Sequence, residues 1–433
     1  MSDELGSMPA HWGTTRVDRV ATVNARIGWK ALTAAEYQPE GYPFLATPNI
    51  KGKEIDFGNV NYISEFRYQE SPELQLREGD VLLTKDGFTL GTVNVVRELP
   101  RPATVNGSIA VLRSHGIDPR FLYYVIASSA IQGHMWAAKN GMDVLHLFQR
   151  DIKKIPLPLP PDNEQRRIAD FLDAETVRID RLAASRAAQV SVMRERFTAL
   201  TREQTGRMAI RSKSLPGGWQ AVQLRRVISS IKTGGTPPTA GPDAWGRADE
   251  PGAIPWYGPS GIHDLLRVGD PAKHIGARAV AENIVPRFPS GSILVVGIGA
   301  TAGKVAYIDH EATGNQQITA LVSESSMVAR FLGWQLWAAT EEMRELAPYT
   351  TLPIINNDFL KSFPVAVPSS GGQEEVVRRL DRAASQLNSL EHIAQKAAQL
   401  LQERRQALIT AAVTGQFDVS TASGRNVTDG VTA

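Results

Sequence analysis

The residues best suited to chemistry are Gly297 to Val305, GIGATAGKV, where an apolar run ends in a glycine-rich turn carrying a lysine. The amides of such a turn can cradle phosphate, and the lysine can reach the outer phosphates. The spacing argues against it. A phosphate loop needs glycine where Ile298 stands and Ser or Thr where Val305 follows Lys304. A dinucleotide fingerprint would need glycine at Ala302. The eight histidines show no HExxH or similar ligand spacing, and there is no Gly-x-Ser-x-Gly elbow. Asn or Asp followed by two prolines and an aromatic, the adenine-methyltransferase tetrapeptide, is absent too. With no cysteine there are no disulfides and no thiolate metal sites, which suits a reducing compartment. The expectation is a non-catalytic chain that binds no metal or cofactor itself.

Recognition remains. Lys51, Lys53, Lys85, Lys232, Arg278, Arg287 and Lys304 fall in loops or turns and could meet phosphates. Thr84, Asn106, Tyr257, Ser260, Asn315, Gln316 and Gln317 could reach base edges or sugars. The set expected to touch DNA is Lys51, Lys53, Thr84, Lys85, Asn106, Tyr257, Ser260, Lys304, Asn315 and Gln316. Each of these alone also reads as solvated surface; their grouping on a duplicated frame favours recognition. The formal net charge is only +2, so affinity for a polyanion must come from local patches.

The elements that position these residues are repeated. PDNEQRRIADFLDAETVRIDRL, opening at Pro161, runs without glycine or proline to about Gly206, and Ser370 to Gly415 repeats its pattern. One offset sets Gln165 on Gln373, Leu172 on Leu380, Asp173 on Asp381, Glu195 on Glu403 and Leu200 on Leu408. Upstream, IPLPLP (Ile155 to Pro160) answers FPVAVP (Phe363 to Pro368), and MPAHW at Met8 answers LPGGW at Leu215. One unit has been duplicated, and each copy ends in a helix. In the second helix Leu380, Leu387, Ala394, Leu401 and Leu408 recur at heptad spacing, with Ala383, Leu390, Ala397 and Ala411 between them. The first carries Leu172, Ile179, Met193 and Leu200 on that register, interrupted by Arg186. Pairing of the two helices is the economical expectation, since a narrow apolar stripe is marginal alone. About forty residues make a rod of roughly 60 Å.

Between the starts and the helices the copies diverge, then converge at REGDVLLTKDGFTLGTVNVV (Arg77 to Val96) and PSGSILVVGIGATAGKVAYI (Pro289 to Ile308). Apolar runs split by a glycine turn predict paired strands. VNGSIAVLR and GNQQITALV predict a further strand in each copy, and FLYYVIASSAIQ and FLGWQLWAAT short packed helices. The fold class is α+β: two duplicated mixed α/β domains separated by two long helices. The expected boundaries are 1–158 and 207–368 for the domains, 159–206 and 369–416 for the helices, and 417–433 for a disordered tail. No stretch approaches a membrane span and the start lacks a signal-peptide core, so a cytoplasmic protein without membrane contact is expected.

These features resemble the specificity subunit of type I restriction–modification enzymes. Carrying the resemblance are PLPPDNEQRRIADFLDAETVRID, its partner PSSGGQEEVVRRLD, the endings ALTREQTG and ALITAAVTG, the LPxxW-like starts, GGTPP, IPWYG and the GxxxG turns. It covers about residues 8 to 418. It implies two target-recognition domains reading the halves of a split double-stranded DNA site. Their helices would form an antiparallel coiled coil that docks two methyltransferase (modification) subunits. S-adenosylmethionine, ATP and Mg would reside on partner subunits, including restriction/translocase subunits. SSGGQEE at the second helix start and the looser KDGFTLG turn depart from the pattern. The competing expectations are a stand-alone DNA-binding scaffold that dimerises through its coiled coil, and a nucleotide-dependent enzyme using Lys304.

Overall fold

A computed structural model describes residues 8–25, 32–139, 145–238, 244–348, 353–368 and 371–421. The chain forms two compact units, Met1–Ser185 with Lys396–Ala433 (unit 1) and Arg186–Gln395 (unit 2).

The strands of unit 1 are β1 (Gly13–Arg16), β2 (Ala21–Asn24), β3 (Tyr42–Leu45), β4 (Asn61–Ile63), β5 (Val81–Thr84), β6 (Val93–Val95), β7 (Thr104–Val105), β8 (Ile109–Ser114) and β9 (Pro156–Leu159). Its main sheet is antiparallel, in the order β2-β8-β5-β6. A smaller sheet has the order β4-β3-β7, and β1 pairs with β9. The run VLLT of β5 is buried throughout because both faces are covered, so it reads as a continuous apolar stretch. The period of two still sorts its residues. Val81 and Leu83 join Ala110 and Leu112 in the core facing the helices. Leu82 joins Ile109 and Val111 in a second core with Leu45, Ile50 and Leu74.

Unit 2 repeats the plan with β10 (Trp219–Gln223), β11 (Ser230–Thr233), β12 (Trp245–Gly246), β13 (Ile254–Tyr257), β14 (Lys273–Ile275), β15 (Ile293–Val296), β16 (Val305–Tyr307), β17 (Thr313–Gly314), β18 (Ile318–Val322) and β19 (Pro364–Pro368). Its main sheet runs β11-β18-β15-β16, beside a sheet β12-β14-β13-β17 and the pair β10-β19. Ile293 and Val295 face the helices with Leu321; Leu294 and Val296 face the other way with Ile318 and Ala320.

The long helices are Asp162–Gln204 and Gln373–Val413. Each contributes to both units. Ile168, Ala169 and Leu172 of the first and Leu408, Ile409, Ala412 and Val413 of the second complete the core of unit 1. Phe197 of the first and Leu380, Ala384 and Leu387 of the second complete that of unit 2. The pairing is antiparallel. In unit 1 the rings of Phe171 and Phe417 are 5.5 Å apart, and Arg405 lies 3.9 Å from Asp180. In unit 2 Arg194 meets Glu391 at 2.6 Å. Both helices stop at a left-handed glycine, Gly206 (φ 70°) and Gly415 (φ 74°). A Cβ on Gly206 would come within 2.8 Å of Trp219, and one on Gly415 within 2.3 Å of Pro9.

Three expectations need correction. The heptad seam is buried at its ends, at Leu380, Leu387 and Leu408, whereas Met193 and Leu390 are exposed. Polar and small residues dominate there, so burial lapses midway along the helices. The stretch FLYYVIASSAIQ is two helices, Pro119–Ala127 and Ser129–Ala138, broken at Ser128, whose hydroxyl accepts from the Ile131 amide at 3.5 Å. The expected disordered tail is ordered where it begins, because Phe417 and Val419 pack on the core of unit 1; residues 422–433 lie outside those described.

Leu408 is fully enclosed, and Leu408→Ala should cost unit 1 about 2–5 kcal/mol. Hydrogen-exchange mass spectrometry should show the loss of protection in β2, β5 and β8 and not in β15 and β18. Equal loss in both sheets would mean that the units unfold as one.

Candidate nucleic-acid interface

In each unit the main sheet ends in a rim where four chain segments converge on one backbone frame. In unit 1 the Lys85 amide donates to Ser108 O (2.8 Å), Leu147 N to Lys85 O (2.8 Å), and Asn106 N to Leu45 O (2.8 Å). In unit 2 Gly297 N donates to Gln317 O (2.7 Å), Ile355 N to Gly297 O (2.8 Å), and Asn315 N to Tyr257 O (2.9 Å). The turn after the central strand closes alike, Gly91 N to Thr84 O (2.9 Å) and Gly303 N to Val296 O (2.8 Å).

The side chains on this shared frame differ. The rim of unit 1 is ionic and aromatic. The Asp86 carboxylate takes Lys85 Nζ at 2.8 Å and bonds His146 Nδ1. His146 stands edge-on to Phe148 (4.4 Å), and the Arg150 guanidinium lies 4.7 Å from the Phe148 ring centre. Gln149 anchors the segment by donating to Val23 O at 2.5 Å. Phe88, at the tip of the β5–β6 turn, is 94% exposed.

On the rim of unit 2 uncharged amides and hydroxyls bond one another. Asn357 Nδ2 donates to Thr233 Oγ1 at 3.1 Å, and Thr319 Oγ1 donates to Asn357 Oδ1 at 3.4 Å. Thr236 donates to Gln316 Oε1 (2.9 Å) and Asn315 Nδ2 to Gln317 Oε1 (3.1 Å). Asn315 Oδ1 also accepts the Gln317 amide at 3.0 Å, which shapes the turn into β18. Hydroxyls and carboxamides offer donors and acceptors together, the chemistry that base edges present.

The rims gather Lys85 and Asn106 in unit 1, and Lys304, Asn315 and Gln316 in unit 2. Lys304 and Gln316 are exposed. Ser260 is exposed on the turn Pro259–Gly261, which follows β13. Lys51 and Lys53 are exposed but sit on another loop, where Lys53 Nζ lies 3.8 Å from Asp180 of the first long helix. Two expected contacts do not fit their positions. Thr84 is fully buried because β5 is covered on both faces. Tyr257 is 2% exposed, and its hydroxyl is shared with His310 Nε2 at 3.1 Å. Burial, and then the carboxylates of Asp309 and Asp270, raise that hydroxyl above the usual phenol range. Lys85 is 8% exposed and spent on Asp86. Arg278 and Arg287 are paired with Glu282 and Glu311. The reading of the sequence missed Asp86, His146 and Arg150 in unit 1 and Thr233, Thr236 and Asn357 in unit 2. Only the matching offset of Gln149 and Asn357 could have pointed to the segments after the divergent loops.

The family described as type I restriction modification DNA specificity domain matches residues 9–191 and 216–401. The chain is 27% identical over 253 residues to the EcoR124I/EcoR124II specificity subunit of Escherichia coli, covering 55% of this chain and 57% of that one. It is 22% identical over 174 residues to the MjaVIII specificity subunit of Methanocaldococcus jannaschii, 39% of this chain and 40% of the relative. It thus spans about half the length of these curated relatives. The EcoBI specificity subunit of Escherichia coli matches at 23% identity over 95% of this chain and 88% of its own. A solved chain described for assembly and conformational transition of the type I restriction–modification system superposes with a TM-score of 0.74 at 19% identity, covering 95% of this chain and all (100%) of that one. The HsdS subunit of Thermoanaerobacter tengcongensis gives 0.52 at 19% identity, covering 96% and 100%. At such identities the likeness is one of fold. The two matched segments together take in most of the chain, and on that ground the protein belongs to the type I restriction–modification DNA specificity family.

Proposed function

We propose that this chain reads a bipartite, asymmetric double-stranded DNA site, one half with the rim of each unit, as the non-catalytic specificity subunit of a type I restriction–modification complex. The observation that carries the reading is the single backbone frame used twice with different side chains. A frame held by buried strands can present either set without refolding, and unlike sets suit unlike half-sites. Asn106, Asn315, Gln316, Thr236 and Asn357 are the base or sugar contacts of this reading. Lys51, Lys53, Ser260, Lys304 and Arg150 serve the backbone.

The long helices are the docking surface for two modification subunits and, through them, restriction subunits. In support, Leu182 and Leu400 in unit 1 and Val192, Met193, Leu390 and Ile393 in unit 2 are all more than 40% exposed. Apolar surface left open on paired helices suits a protein partner. S-adenosylmethionine, ATP and Mg belong to those partners in this proposal. Among the described residues no helix is long and apolar enough to cross a membrane.

Four variants test the proposal. Exchanging residues 1–158 for those of a relative should change one half of the methylated motif, mapped by methylation-sensitive sequencing; a change in both halves, or neither, would refute readout by separate units. Asn357→Ala should shift base preference in the half-site of unit 2 by roughly 1–3 kcal/mol. Lys304→Ala should instead weaken all sequences alike and lower the salt slope by about one unit. An Asn357→Ala protein with unaltered base preference would remove that residue from the readout. Finally, four residues inserted near Ala187 lengthen the first helix by about 6 Å. The gap between half-sites should grow by one or two base pairs of about 3.4 Å each, with the half-sites unchanged. An active insertion protein with the original gap would overturn the helices as spacers.

A further inference from the structure

Both long helices carry an aspartate at the same place in the repeat, and each is held by an aromatic donor and one or two arginines from its own unit. In unit 1 Asp173 Oδ1 accepts the Tyr124 hydroxyl at 2.7 Å and Arg97 Nη2 at 2.6 Å, while Oδ2 accepts Arg120 Nη1 at 3.1 Å. In unit 2 Asp381 Oδ1 accepts Trp334 Nε1 at 2.8 Å and Oδ2 accepts Arg330 Nε at 2.7 Å. Tyr124 and Trp334 occupy corresponding places on the helices Pro119–Ala127 and Ser326–Ala338, and both are 1% exposed. The arginines reach further. Arg97 follows β6, and Arg330 lies over the Tyr307 ring at the end of β16, 4.9 Å from its centre. Those strands lead directly from the turns that form the rims.

An apolar seam does not fix position by itself, because burial is non-directional and the midsection of the seam is loose. A carboxylate held by a charged and a neutral donor does fix it, since such bonds are short and angular. One base pair of gap corresponds to about 3.4 Å along DNA. A recognition rim that slid by that much along its helix would accept the wrong gap.

We propose that Asp173 and Asp381 are positioning residues that lock each recognition domain to its helix and so set how strictly the gap between half-sites is measured. The inference rests on the DNA-reading function proposed above. Asp173→Asn keeps the size of the side chain and removes its charge. Tyr124→Phe deletes one hydroxyl from the clasp while keeping the ring, and Asp381→Asn tests the second copy.

The experiment uses the chain assembled with its modification subunits, on duplexes carrying the native motif and the same half-sites with one base pair added or removed. The readout is the ratio of methylation rates, native gap over altered gap. Loss of a charged hydrogen bond should lower this ratio about tenfold relative to wild type, with the preference within each half-site unchanged. Rates that fall equally on all gaps, or a ratio equal to wild type in Tyr124→Phe and both asparagine variants, would overturn the proposal. A wild-type complex that marks no bipartite motif would overturn the underlying reading instead.

Discussion

Neither unit closes its core without both long helices, and the rest of the structure follows from that dependence. Val17 and Leu83 of unit 1 share a core with Leu408 and Val413, more than three hundred residues later in the chain. Burial of these side chains is worth on the order of 1.5–3 kcal/mol each, so the second helix is an integral layer of the first unit. A marginal helix gains its order from this packing more than from its own propensity. The antiparallel run is then forced. The first helix leaves unit 1 at its C-terminal end, and the second returns to it at its own.

Upon this layer the duplicated sheets keep what packing dictates and vary what it does not. Val81 to Leu83 and Ile293 to Val295 are enclosed on both faces, and a change of volume there would be felt immediately. The turns that follow need glycine, with φ of 89° at Gly91 and 86° at Gly303. Where the turn tips are exposed, packing no longer restricts the side chain. Phe88 projects into solvent in one copy where the other has Ala300, and the Asp86–His146 pair stands where unit 2 has Ile298 and Ile354.

Electrostatics works locally in this protein. Several cations that face outward are already matched, Arg287 by Glu311 at 2.6 Å and Arg278 by Glu282 at 2.8 Å. Such exposed pairs add little stability, yet they remove positive charge from the surface a polyanion would meet. Among the described residues the rim of unit 2 sets Lys304 beside neutral amides, an arrangement that favours geometry of hydrogen bonding over bulk attraction.

The repeat, the paired helices, the strands on either side of each glycine turn and the family likeness were all legible in the sequence. They rest on short-range periodicity and on self-similarity, which survive without any knowledge of packing. The tertiary structure alone decided which polar residues stay exposed. Thr84 and Tyr257 sit at strand ends, as a contact residue would, and only the second sheet and the helix layer show that they are covered. It also decided the partners of Asp173 and Asp381. The repeat aligned the two carboxylates, but a carboxylate's role depends on donors brought from far along the chain, and hydrophobic periodicity carries no information about them.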